Sequence, residues 1–337
     1  MPSRLTFSEP GDPLVVLRME EFSLPEPQQK EVLVEMKMAP INPVDINMIQ
    51  GIYPIKIDVP GFEGVARVIK LGSCVEKLRL GDHVVPLSPI GTWRTHLVIP
   101  EKILFKVPKM MGYIEASTMI ANPSTMYRLL KDFVSVQAGD TVIQNGANSS
   151  CGVFAIQLCR HWGINTVNIV RNRPNIEVLK TFLKSLGATY VFTEDEFAKI
   201  DIFKQGTLKR PLLALNCVGG RSATNLIRHL AFEGVMVTYG GMSMEPVSVS
   251  TSALISRGIR LEGFNLLPWS VNEKNNVERT KMYRDLISMI LDGSLRMPPH
   301  VLVKFENYKD ALIDVVSKGG MVGKKYLFDF RSYSSKI

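Results

Sequence analysis

The chain has 337 residues, long enough that two domains are expected rather than one core. Its 45% hydrophobic and 21% charged content is that of a globular protein, and no apolar run reaches the ~18–20 residues of a membrane helix. A net charge of +8 favours anionic partners (nucleic acid, phosphorylated cofactors or an acidic carrier protein) without choosing among them.

Met1 to Leu5 carries neither a secretory apolar core nor an Arg-rich, acid-poor transit segment, and runs into the turn chemistry of Thr6-Phe-Ser-Glu-Pro-Gly-Asp-Pro. Residues 14–19 and 31–38 alternate like strands, punctuated by Pro25, Pro27 and Pro40. Ile41-Asn-Pro-Val-Asp-Ile-Asn-Met-Ile-Gln-Gly reads as a polar loop entering a short helix, with Tyr53 directly after it in Gly51-Ile-Tyr-Pro. Further strands are expected from Pro60-Gly-Phe-Glu-Gly, after Gly81-Asp-His, and through Gly91-Thr-Trp-Arg-Thr-His-Leu-Val-Ile. Short strands at this spacing indicate a small β-rich, barrel-like domain. The cysteines Cys74, Cys151, Cys159 and Cys217 are scattered, without a C-x-x-C pair, which fits a reducing compartment.

The texture changes near Met110. Residues 114–130 read as helix, with a break at Asn122-Pro123, and from Thr141 strands and helices alternate. Strands are expected at 166–170, 190–193, 212–218, 235–239 and 259–264, with helices over 175–186 and 222–231. Repeated βα units of this size build a doubly wound parallel sheet. From about Pro268 the tail returns through a helix at 282–291 to strand-like runs at Val301 and Tyr326. The fold class is therefore α/β: a β-rich domain, 1–115 plus 268–337, split around an inserted α/β domain, 116–267.

Thr141-Val-Ile-Gln-Asn-Gly-Ala-Asn-Ser-Ser-Cys-Gly organises the insert. Strand, small-residue turn and helix form the receptor for a dinucleotide pyrophosphate, whose phosphates meet bare amides at the helix start. The glycine pattern is sparse, with Gly146 and Gly152 around Ser149 and Ser150, and an ordinary βα turn would read alike. Beyond the next strand, Arg171-Asn-Arg173 stands where an NAD-binding chain would place an acidic residue for the ribose. Arginine forks suit the 2′-phosphate of NADP; the alternative is that they only cap a solvent face, but coupled to the small-residue turn NADP is the preferred reading.

These stretches, with Leu80-Gly-Asp-His-Val-Val-Pro, Ala121-Asn-Pro-Ser-Thr-Met-Tyr-Arg, Leu215-Asn-Cys-Val-Gly-Gly and Val237-Thr-Tyr-Gly-Gly-Met, occur in family order across nearly the whole chain. The sequence resembles the mitochondrial trans-2-enoyl-thioester reductases of the medium-chain dehydrogenase/reductase superfamily. That resemblance implies a GroES-like catalytic domain around a Rossmann domain. It implies NADPH-dependent reduction of enoyl-CoA or enoyl-acyl-carrier-protein in mitochondrial fatty-acid synthesis, a homodimer, and a transit peptide that the visible N-terminus does not show. By resemblance Tyr53 is the catalytic tyrosine and Asn122 lies by the nicotinamide. Asn148, Ser149, Ser150 and Cys151 line the pyrophosphate turn, and Arg171, Asn172 and Arg173 grip the 2′-phosphate. Tyr239, Gly240, Gly241 and Met242, with Phe264, Asn265, Leu266 and Leu267, border the nicotinamide side, and Lys324 reaches the cofactor from the tail.

One departure stands out: Ser150-Cys151 replaces the family's usual Gly-Val, and the added side chains restrict the backbone's approach to the pyrophosphate. Zinc dehydrogenases of the superfamily hold a metal with Cys and His, where this chain has Asn42 and Phe62. The histidines His83, His96, His161, His229 and His300 show no ligand spacing, so no metal is expected. Tyr127 and Trp93 are candidates for the cofactor shelf or an acyl pocket, or simply for core packing. A quinone oxidoreductase and a non-catalytic NADP- or RNA-binding homologue are the alternative functions. The dispersed basic residues, without an aromatic-interleaved patch, weigh against nucleic acid as the partner.

Overall fold

The computed structural model describes residues 1–53, 57–317 and 323–333. The chain divides into two units, the first comprising Met1–Ala121, Leu267–Leu291 and Met297–Ile337, and the second Asn122–Leu266 and Asp292–Arg296.

The first unit begins with β1 (Ser3–Thr6), α1 (Pro13–Val16), β2 (Arg18–Glu21), β3 (Glu31–Pro40), α2 (Pro43–Ile49) and β4 (Val65–Leu71). It continues through β5 (His83–Pro86), β6 (His96–Pro100), β7 (Leu104–Val107) and α3 (Tyr113–Thr118). The second unit runs α4 (Asn122–Asp132), β8 (Thr141–Gln144), α5 (Ser150–His161), β9 (Asn165–Val170), α6 (Ile176–Ser185), β10 (Tyr190–Thr193) and α7 (Glu194–Phe197). It ends with β11 (Leu213–Asn216), α8 (Gly220–His229), β12 (Val235–Thr238), α9 (Thr251–Ile255) and β13 (Arg260–Gly263). The chain then returns through α10 (Leu266–Val271), α11 (Asn276–Leu291), β14 (His300–Lys304), α12 (Tyr308–Ser317) and β15 (Lys325–Asp329).

In the first unit a seven-stranded sheet has the order β14-β15-β3-β4-β5-β7, with β6 also paired to β3. Its pairings are antiparallel except for β14 with β15. β15 closes onto the end of β3, Leu327 opposite Pro40, so the tail packs beside the start of α2. Trp93 is fully buried there, edge-on to Phe328 at 5.1 Å, and its Nε1 donates to the Pro40 carbonyl at 3.3 Å. Core packing is therefore its role.

The second unit is a six-stranded parallel sheet, ordered β10-β9-β8-β11-β12-β13. The order reverses between β8 and β11, and right-handed crossovers send α5 and α6 to one face and α8 to the other. Two apolar clusters follow, one around Val153, Ile156 and Leu183, the other around Phe197, Leu226 and Met236. Tyr127 is buried edge-on against Trp162 at 5.4 Å, a packing residue. This is the α/β architecture read from the sequence: a GroES-like unit and a doubly wound Rossmann unit.

Two local expectations fail. Residues 14–19 are not one strand, because the Asp12 side chain accepts the Leu14 amide at 2.9 Å and Pro13 presets the first helical turn. Capping chemistry outweighs the β-branched pair Val15-Val16, and only Arg18 onward pairs, with β1. Gly91 to Thr95 is also not strand. Gly91 sits at φ +71°, Trp93 and Thr92 amides bond back to Pro60 and Gly61 carbonyls, and β6 begins only at His96.

Candidate active site

In the Rossmann unit, the turn after β8 is built on Asn145. Its Nδ2 donates to Asn216 Oδ1 at 2.8 Å and to Ser222 Oγ at 3.0 Å, while its Oδ1 accepts the Cys217 amide at 2.9 Å. The ends of β8 and β11 are thus bolted together at the switch point, where open α/β sheets receive ligands. Gly146 has φ +58°, and a β-carbon on it would lie 2.6 Å from Cys217 Sγ. At Gly152 a β-carbon would meet the Ala147 carbonyl oxygen at 2.4 Å. The two positions that tolerate no side chain therefore hold glycine, and the sparse motif is complete where sterics demand it.

Ser149 caps α5, its Oγ accepting the Gly152 amide at 3.1 Å. The first-turn amide of Ser150 has no intrahelical acceptor and, with the dipole of a twelve-residue helix, suits a phosphate. Ser150 and Cys151 are half-buried in that first turn, and Cys151 Sγ donates to Asn122 Oδ1 at 3.3 Å.

Beyond β9, Arg171 and Arg173 are brought together by the loop itself. Arg173 Nε donates to the Arg171 carbonyl at 3.4 Å, its Nη2 to Asn148 Oδ1 at 3.5 Å, and its amide to Asn172 Oδ1 at 2.9 Å. Burial and then the charge of Arg171 hold the Arg173 guanidinium below its usual pKa. Neither arginine is paired with a carboxylate among the described residues. Two like charges held together in this way suit a bound dianion.

At the end of β12, the Tyr239 amide bonds to the Asn216 carbonyl at 2.9 Å and the Met242 amide to Cys217 at 3.0 Å. Gly240 lies so near Cys217 that a β-carbon would sit 3.3 Å from its carbonyl oxygen. Tyr239 Oη is sealed from solvent near Cys217, Cys151 and Ser149, without a hydrogen bond of ordinary geometry. Burial and then the Cys217 and Cys151 thiols push its phenol well above 10. A buried orphan hydroxyl costs about 1–3 kcal/mol, which a ligand atom would recover. Phe264 continues from β13, its amide on the Thr238 carbonyl at 3.0 Å and its ring edge-on to Phe133, followed by Asn265 and Leu266. A glycine-built cradle, a free helix end, a guanidinium pair and an orphan hydroxyl together fit a phosphorylated dinucleotide.

In the GroES-like unit, Tyr53 follows α2. The Asn47 carbonyl accepts both the Ile52 amide at 2.9 Å and the Tyr53 amide at 3.2 Å, and Gly51 at φ +74° makes the turn. Tyr53 is half-buried, so it stands between core and solvent. At the other end of α2 lies a group the sequence reading passed over. Asp45 Oδ2 accepts the Asn42 amide and its Oδ1 the Phe62 amide, both at 2.8 Å. Asn42 Nδ2 donates to Glu63 Oε1 at 3.1 Å, and Lys325 Nζ donates to Asn42 Oδ1 at 2.6 Å. Glu63 Oε2 accepts the Ala121 amide at 2.8 Å. All four side chains are buried. Burial raises Asp45 to about 7, against the pull of the Asn42 and Phe62 amides, and raises Glu63 as well.

Asn42-Pro-Val-Asp45 forms a capping box with proline at the first helical position, a local signal that could have marked this group in the sequence. Lys325 was not legible; its neighbour Lys324, singled out by resemblance, is exposed in the same unit, as Leu267 is half-buried at the start of α10. Asn42 and Phe62 offer no thiolate or imidazole, and no cluster of metal-ligand side chains occurs among the described residues.

Comparison with known proteins agrees with this layout. Residues 28–109 match the alcohol dehydrogenase GroES-like domain, and residues 151–279 the zinc-binding dehydrogenase family. The mitochondrial enoyl-[acyl-carrier-protein] reductase of Xenopus tropicalis is 43% identical over 92% of this chain and 91% of its own length. That of Homo sapiens is 42% identical over 91% and 84%. Among solved structures, the mitochondrial 2-enoyl thioester reductase Etr1p/Etr2p heterodimer of Candida tropicalis superposes with TM-score 0.89 at 31% identity, over 97% of this chain and 99% of that one. A complex of Etr1p with NADP and crotonyl-CoA matches equally. The quinone oxidoreductase of Escherichia coli shares the fold at 20% identity and TM-score 0.81, over 97% of this chain and 99% of that one. The chain belongs to the mitochondrial enoyl-[acyl-carrier-protein] reductase family, within the medium-chain dehydrogenase/reductase superfamily.

Proposed function

We propose that this chain reduces the C2=C3 double bond of trans-2-enoyl thioesters, carried on CoA or acyl-carrier protein, with NADPH in the mitochondrion. The observation that carries the reading is Arg171 beside Arg173 at the end of β9, without an acidic partner among the described residues, in a chain 43% identical to a mitochondrial enoyl reductase. When bound, NADPH supplies the hydride that adds to C3. Negative charge then grows on the thioester oxygen, and C2 takes a proton. Tyr53 Oη is the donor that meets this charge or delivers that proton. Asn148, Ser149, Ser150 and Cys151 hold the pyrophosphate, Arg171, Asn172 and Arg173 the 2′-phosphate. Asn122, Tyr239, Gly240, Gly241, Met242, Phe264, Asn265, Leu266, Leu267 and Lys324 surround the rest of the cofactor.

The working form is a homodimer. β13 ends the parallel sheet with Arg260, Leu261, Glu262 and Gly263 all exposed, and Ile255 before it is 79% exposed. An open strand edge flanked by exposed aliphatics invites a second copy.

The deciding experiment follows NADPH consumption with crotonyl thioester, with a quinone, and with neither, alongside RNA retention at physiological salt. Turnover of the thioester and not the quinone is expected. Turnover of the quinone alone, or RNA retention with no turnover, contradicts the reading.

A further inference from the structure

We infer that the buried network of Lys325, Asn42 and Glu63 positions Tyr53 for reaction, an inference that rests on Tyr53 being the donor. Its members come from three distant stretches: the N-cap of α2, the loop before β4 and the first residue of β15. Lys325 Nζ touches Asn42 Oδ1 at 2.6 Å and lies 3.9 Å from Glu63 Oε1, which accepts Asn42 Nδ2 at 3.1 Å. The side chains of Lys325 and Glu63 are 4% and 0% exposed. Buried ion pairs add little net stability over well-packed apolar residues, so fold stability alone does not account for one here. What the network does fix is direction. Asn42 sets the start of α2, and the other end of that short helix receives the Tyr53 amide through Asn47. Seven helical residues act as a rigid rod of about 10 Å, so a tilt at the cap displaces the phenol. Glu63 spends its second oxygen on the Ala121 amide, the residue before Asn122. In zinc dehydrogenases a metal joins the stretches that hold Asn42 and Phe62; in this chain an ammonium and a carboxylate join them.

The residues are thus positioning residues, and the test is a double-mutant cycle on thioester reduction. Glu63→Gln keeps the shape of the side chain but replaces one acceptor with a donor. It should lower kcat by about 10- to 100-fold, the scale set by small misplacement of a reacting group, while the NADPH Kd stays unchanged. In a Tyr53→Phe background the same change should cost nothing more, because the group it positions is already gone. A purely structural role would cost the same factor in both backgrounds, or lower Tm with kcat intact, and either result overturns the inference. Should Glu63→Gln fail to fold, Asn42→Ser enters the same cycle; it keeps a capping hydroxyl but is too short to bridge Lys325 and Glu63. Undiminished kcat in Tyr53→Phe alone would remove the Tyr53 assignment, and this inference with it.

Discussion

Gly152 lies directly against the backbone of Ala147: a β-carbon on it would stand 2.4 Å from the Ala147 carbonyl oxygen and 2.6 Å from its carbonyl carbon. Backbone cannot swing aside as a side chain can, so Gly152→Ala must push the start of α5 away from the turn. Overpacking of this kind costs about 1–3 kcal/mol. The expected outcome is a lower Tm together with weaker NADPH binding, read by titration. A protein that loses stability but keeps its NADPH Kd would mean that the turn does not receive the pyrophosphate.

Arg171 and Arg173 should discriminate between cofactors. Replacing both with Ala removes charge-assisted bonds worth roughly 1.5–3 kcal/mol each from NADPH, and nothing comparable from NADH. NADPH affinity should therefore fall by at least about 10-fold relative to NADH. Equal losses for both cofactors would show that the pair only shapes the loop.

Acid should unfold the Rossmann unit through His229. Its ring packs against Phe197 at 4.6 Å and Phe203 at 5.5 Å, and burial, then Arg210, Lys204, Arg228 and Arg257, lower its pKa from 6.5 to about 4. A base with a depressed folded pKa is held neutral by the fold. Its contribution is fully present above pH 6.5 and is lost as pH falls toward about 4. His229→Phe should flatten the fall of Tm across that window, and an unchanged slope would place the acid sensitivity elsewhere.

The parts of the candidate site that are legible in the sequence are local. Thr141 to Gly152 declares a strand, a small turn and a helix within a dozen residues, and Arg171-Asn-Arg173 follows its strand directly. What stayed hidden depends on residues far apart. Lys325 meets Asn42 across 283 positions, and nothing in the run Lys325-Tyr-Leu-Phe announces that its first residue faces inward. β1 went unread for the same reason, since four residues near a terminus become a strand only by pairing with β2. The misreading at 14–19 was of another kind: Asp12-Pro13 is a local start signal for helix, and the β-branched residues after it masked it.

Tyr53 carries the central claim. Its replacement by Phe removes one hydroxyl and keeps the ring, so α2 and the turn at Gly51 are left as they are. The measurement is kcat for NADPH-dependent reduction of a 2-enoyl thioester by Tyr53→Phe, with the NADPH Kd taken on the same preparation. A loss of about 10²–10⁴-fold in kcat with unchanged NADPH binding is predicted, the range for a general acid. Near wild-type kcat would contradict the account, because the proton or the charge stabilisation would then come from water or another side chain.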